Sequence, residues 1–132
     1  MITRFTLVDI RLVWDAIKPN IEQLRKQWGF DWRPEDIYSQ CLIGRAFCHT
    51  CADGFVIVQP RENSYTLEKE LFVWVCYSSA HDGLTEYYED ICLMAKSVHA
   101  TSIIFSSPRE GFRKLAKQKG WRTLTEYTLP VY

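Results

Sequence analysis

Residues 71–91 read LFVWVCYSSAHDGLTEYYEDI, and the fold turns on how this stretch is divided. Leu71 to Cys76 or Tyr77 is a run of β-branched and aromatic residues, the chemistry of a strand. Ser78-Ser79-Ala80-His81-Asp82-Gly83 is a loop of small and polar residues. Beyond it, Leu84, Tyr87, Tyr88, Ile91, Met94, Ala95 and Val98 recur at three- and four-residue steps, which predicts an amphipathic helix from about 83 to 99. A strand that runs through a small polar loop into a helix N-terminus can hold a phosphate on backbone N–H groups. The same loop can instead be closed by Asp82 as a helix N-cap, which would occupy those donors. Both readings stand at this point.

Working outward toward the C-terminus, TSIIFSS is a strand whose continuous apolar centre predicts burial on both faces. PREGFRKLAKQKG is a helix, with Pro108 at its start and Gly120 at its end. WRTLTEYTLPVY alternates as a final strand. The unit from Leu71 to Phe105 should be a right-handed crossover that sets its two strands side by side or splayed.

Toward the N-terminus, ITRFTLV predicts a first strand. Residues 9 to 28 predict a helix with Asp9 as cap, Gly29 as terminator and, from Pro19, a kink or split near Lys18. Residues 34 to 46 predict a second helix, opened by Pro34 with Glu35 and Asp36 in its first turn. RAFCHTCA and GFVIVQP flank Asp53-Gly54, a hairpin dipeptide, and ENSY turns the chain into LEKELFVWVCY. The resulting order is β-α-α-β-β-β-α-β-α-β, an α+β class with a mixed sheet, in one domain spanning 1–132.

Composition agrees with a packed core: 47% of the 132 residues are hydrophobic and 14% aromatic. Sixteen basic and sixteen acidic residues leave no net charge, so no basic field draws the chain to nucleic acid or an anionic membrane. Little repulsion opposes association of copies, and a homo-oligomer is compatible with this. No apolar run approaches a membrane span and MITRFTLVDIRLVW is no signal peptide, so a cytoplasmic protein is expected. The odd count of five cysteines argues against a disulfide framework. The pair in CHTC, Cys48 and Cys51, would point to opposite faces of a strand, so no metal site is expected there.

The element order, together with the closing run TSIIFSSPREGFRKLAKQKGWRTLTEY and its Gly120-Trp121 pair, resembles the GNAT acyltransferase family over nearly the whole chain. Compact chains of this kind also look like members encoded by bacteriophages. The resemblance implies an acetyl-CoA site made by the central strand and the helix after it. It would involve Val75, Tyr77, Ser78, Ser79, Gly83 and Leu84, with Arg109 and Arg113 of the last helix near the CoA phosphates. An amine or a protein would be the acceptor, with Glu68 or Glu70 offered as the base and no spacing to choose between them. The family loop Q/R-x-x-G-x-G/A is met only at Gly83: Ser78 stands at its first position and His81 at its middle glycine. The family's general-acid tyrosine falls on Ala116. His81 is a second candidate base on residue chemistry, since its ordinary pKa lies near neutrality. Two functions follow: a weak or inactive acetyl-CoA-dependent N-acyltransferase, or a non-catalytic protein–protein interaction module such as a phage virion or host-interaction protein. Phe30 in WGFDW, between Trp28 and Trp32, is a candidate aromatic partner patch.

Overall fold

A computed structural model describes residues 3–80, 83–107 and 110–131, with only the backbone for Glu110 and Gly111. The expectations for His81, Asp82, Pro108 and Arg109 lie outside the described residues. The elements are β1 (Thr6–Val8), α1 (Ile10–Trp28), α2 (Pro34–Leu42), β2 (Phe47–Cys51), β3 (Gly54–Glu62), β4 (Lys69–Ser78), α3 (Gly83–Ser97), β5 (Ser102–Phe105) and α4 (Glu110–Lys119). The strands form one sheet in the order β1-β2-β3-β4-β5. Neighbours are antiparallel except β4 and β5, which run parallel as the crossover through α3 requires.

The Asp9 carboxylate accepts from the Arg11 N–H at 2.9 Å, and Gly29 ends α1 in the left-handed region at φ 69°. Pro19 does not split α1, which runs unbroken through it. Ile10, Ile17 and Ile21 are buried on either side of the proline, and their packing on the sheet outweighs the missing N–H. α2 stops at Leu42, four residues short of its expected end, where the chain turns through Gly44 at φ 76° to bury Ala46.

Each face of the sheet carries its own part of the core. Val56, Val58, Leu71 and Val73 pack against Leu84, Tyr87, Ile91, Met94 and Ala95 of α3. Phe55, Ile57 and Val75 pack against Ile10, Ile17 and Ile21 of α1 and Ile37 of α2. Asp90 is a buried charge on α3, and the N-terminal segment is tied to it. Thr3 Oγ1 donates to Asp90 at 2.9 Å and Arg4 Nε pairs with it at 3.1 Å.

Two expectations fail at the C-terminal side. Residues 121–131 form no strand: no strand among the described residues pairs with them, and the Trp121 N–H donates to the Ala116 carbonyl of α4 at 2.8 Å. Ile103, Ile104 and Phe105 are half-buried rather than enclosed on both faces, because β5 is an edge. No described helix is long and apolar enough to cross a membrane.

Candidate functional site

The register of β4 contains an irregularity beside the point where its pairing with β5 stops. Ile57 pairs with Val75 but Val58 pairs with Val73, so Trp74 is an extra residue in β4. The bulge reverses the alternation. Leu71 and Val73 face α3, whereas Trp74 and Val75 both face α1 and α2. β5 pairs with β4 only over Glu70–Val73. The two parallel strands are therefore joined below the bulge and their pairing stops there, where β5 ends at Phe105, so β5 offers no partner to Val75 or Tyr77.

Above the parting, β4 leads to the loop and α3. Gly83, the first residue of α3, sits directly on the strand. A Cβ there would lie 2.8 Å from the Cys76 carbonyl oxygen and 3.1 Å from its Sγ. Helix-to-strand packing by itself thus requires glycine at 83, whether or not a phosphate binds.

The described part of the loop is bound to the β2–β3 turn. The Ser79 N–H donates to the Asp53 carbonyl at 2.8 Å and its Oγ donates to the same oxygen at 3.1 Å. The Ala80 N–H donates to Ser78 Oγ at 3.2 Å. Beneath it, Tyr87 Oη and Cys51 Sγ donate to Asp53 Oδ1 at 2.9 and 3.2 Å. These two hydrogen bonds hold the Asp53 carboxyl below the usual carboxylate range, and burial pushes the Tyr87 phenol up. The turn itself is Ala52-Asp53, closed by Cys51 opposite Gly54, one residue earlier than the dipeptide suggested. Gly54 is needed for a different reason: a Cβ there would run into the Tyr77 carbonyl and the Tyr87 hydroxyl. Sequence reasoning missed this polar cluster, because its members come from β2, its turn and α3.

The remaining candidates are distributed as follows. The Val75 side chain is buried in the α1/α2-side core, and Tyr77 stacks on Phe55 at 5.3 Å. What both offer toward the parting is backbone. Leu84 is buried in the α3-side core. Glu70 lies at the start of β4, opposite Arg61 and Ser102, about 27 Å of extended chain from Ser78. The structure does not bring Glu70 and the loop together. Arg113 is exposed on α4, with Lys114 and Lys117. Ala116 is buried. Cys48 and Cys51 face opposite sides of the sheet, and burial pushes the Cys48 thiol up to about 12, which removes it as a nucleophile. Among the described residues no three His, Cys, Asp or Glu converge as metal ligands. Phe30 stacks on Trp32 at 5.1 Å and both are half-buried, Trp32 against the α1/α2-side core. Two surface hollows, of 620 Å³ beside Pro19, Glu22 and Lys26 and of 340 Å³ between Arg45, Phe47 and Arg61, do not border the parting.

No protein-family model matches the sequence, and no curated protein matches it. Solved structures do resemble it. A protein described as a probable acetyltransferase is 19% identical with a TM-score of 0.69, over 98% of this chain and 99% of that one. The ribosomal-protein-alanine N-acetyltransferase of Brucella melitensis biovar Abortus 2308 is 16% identical with a TM-score of 0.66, over 97% and 98% of the two chains. An aminoglycoside acetyltransferase from an uncultured soil metagenomic sample is 12% identical with a TM-score of 0.62, over the whole of both chains. At these identities the likeness speaks for architecture, and the chain has the GNAT fold.

Proposed function

We propose that the chain is an N-acyltransferase of the GNAT type, taking an acyl group from acetyl-CoA to an amine. The observation that carries this reading is the parting of β4 and β5 at the Trp74 bulge. Beyond it, Val75 and Tyr77 have no β5 residue opposite them, on the way to the N-terminus of α3. The Val75 and Tyr77 backbone would bind the amide-bearing arm of the donor as an added strand. The first turn of α3, at Gly83 and Leu84, would face its pyrophosphate, with Arg113 supplying charge from α4. A backbone N–H at the bulge would polarise the thioester carbonyl, and the amine would attack from the α1/α2 side. Glu70 would act as base only through water, given its distance along the strand. Ala116 can supply no proton to the departing thiolate, so turnover should be slow.

The test is thermal denaturation with acetyl-CoA. A donor at a hundredfold over its Kd should stabilise the fold by about 2.7 kcal/mol. No shift at millimolar acetyl-CoA would overturn the reading. A second reading, a GNAT-fold module that binds another protein without catalysis, is favoured by one set of contacts. The Ser79 hydroxyl and the Ser79 and Ala80 N–H groups, which a phosphate would need, are already donated within the protein. A partner retained by a variant that no longer responds to acetyl-CoA would support this second reading.

A further inference from the structure

The formal net charge of zero conceals a separation of charge along the chain. Residues 111–122 hold five bases, Arg113, Lys114, Lys117, Lys119 and Arg122, and no acid, which leaves eleven bases against sixteen acids in the rest. All five are exposed, and among the described residues none of them is in an ion pair. Local structure does not account for the whole set. The α4 dipole favours Lys117 and Lys119 in the last turn, but Arg113 stands near the start of the helix, where a cation is unfavourable. Arg113 and Lys117, four residues apart on one face, also repel each other. The patch lies beside the route proposed for the donor. Phe112 of α4 meets Phe105 edge-on at 5.1 Å, and both pack against the core on the α3 side of the sheet. Trp121, just past α4, stacks on Tyr88 of α3 at 6.3 Å. The bases extend over about 9 Å of helix axis from Arg113 to Lys119, further than one phosphate group reaches. On the loop before α3, the Ser79 hydroxyl and the Ser79 and Ala80 N–H groups are already spent inside the protein.

We propose that the acyl donor is carried by a small acidic protein, as a thioester on a phosphopantetheine arm, and that the basic patch from Arg113 to Arg122 docks that carrier. This rests on the acyltransferase reading: the arm keeps its place along β4, and only what holds the arm changes. Such an arm ends in a single phosphodiester, which asks less of the first turn of α3 than the pyrophosphate of CoA does. Carboxylates of the carrier would supply the counter-charges that the five bases lack. The acidic remainder of the chain would repel the carrier elsewhere and steer it to this face. In the transfer, the amine nitrogen bonds to the thioester carbonyl carbon and the carbon–sulfur bond breaks. The proton lost by the amine ends on the sulfur of the arm, by way of water.

The experiment is titration calorimetry of the full chain with three probes: an acyl carrier protein bearing an acetylated arm, the same carrier without its arm, and acetyl-CoA. The acetylated carrier should bind with a Kd about tenfold or more below that of acetyl-CoA, because arm and patch engage together. The double variant Lys114→Glu, Lys117→Glu should weaken the acetylated carrier about tenfold and leave acetyl-CoA binding and the far-UV spectrum as they are. Acetyl-CoA binding as tightly as the carrier, or a double variant that holds the carrier like the natural chain, overturns the proposal and leaves the acyltransferase reading standing. Equal binding with and without the arm overturns it too, since docking would then be independent of the donor. If neither the acetylated carrier nor acetyl-CoA binds, the acyltransferase reading itself falls, and the proposal with it.

Discussion

Replacing Gly83 by alanine places a methyl group where α3 rests on β4. Its Cβ would lie 2.8 Å from the Cys76 carbonyl oxygen and 3.0 Å from the carbonyl carbon, against 3.4 Å for ordinary contact. The shortfall is about 0.6 Å, and two of the opposing atoms are backbone of a strand paired with β3, so the helix must move instead. Overpacking of this kind costs about 1–3 kcal/mol. Alanine returns at most ~1 kcal/mol of helix propensity, and less in a first turn. The net expectation is a loss of about 1–2 kcal/mol. Urea denaturation reads it directly: with an m-value of about 2 kcal/mol per molar, the midpoint should fall by about 0.5–1 M at constant m. A midpoint that stayed in place or rose would mean that α3 is not seated on Cys76, and the packing explanation of Gly83 would be wrong.

Other perturbations have equally definite outcomes. Asp90→Ala strips acceptors from Thr3 and Arg4 in a buried setting and should cost about 1–3 kcal/mol by chemical denaturation. Pro19→Ala restores a backbone donor in the middle of an unbroken α1 and should raise the melting temperature, corresponding to about 1 kcal/mol or more. The Asp9 carboxyl is lowered to about 2, chiefly by the Arg11 guanidinium and then by the Arg11 N–H. A depressed carboxyl stabilises the fold above its ordinary value, and that contribution is lost as pH falls from about 4 toward 2. Asp9→Asn should therefore flatten the pH dependence of stability in that window, and a slope unchanged from the natural protein would refute the assignment.

Local rules of the chain were sufficient for much of this molecule. The Asp9 cap, the Gly29 terminator, the three-strand meander and the strand–helix–strand unit follow from residues within a few positions of one another. Such signals are legible because caps, turns and amphipathic periods are set by near neighbours. The bulge was not legible. Phe72-Val73-Trp74-Val75 reads as uninterrupted strand, and the extra residue appears only when β4 is laid against β3. The end of the pairing with β5, and with it the candidate donor site, is likewise visible only in the assembled sheet.

The loop shows the same division. Its sequence placed it between a strand and a helix, where a phosphate could sit. A tertiary contact gave the Ser79 donors to Asp53, a local one gave the Ala80 N–H to Ser78, and packing against Cys76 gave Gly83 its role. The C-terminal segment is the complementary case. WRTLTEYTLPVY has the alternation of a strand, but a strand exists only with a partner, and whether a partner is in reach is decided by the sheet. Periodicity is a property of the sequence alone, whereas pairing, register and edge are properties of elements far apart in it.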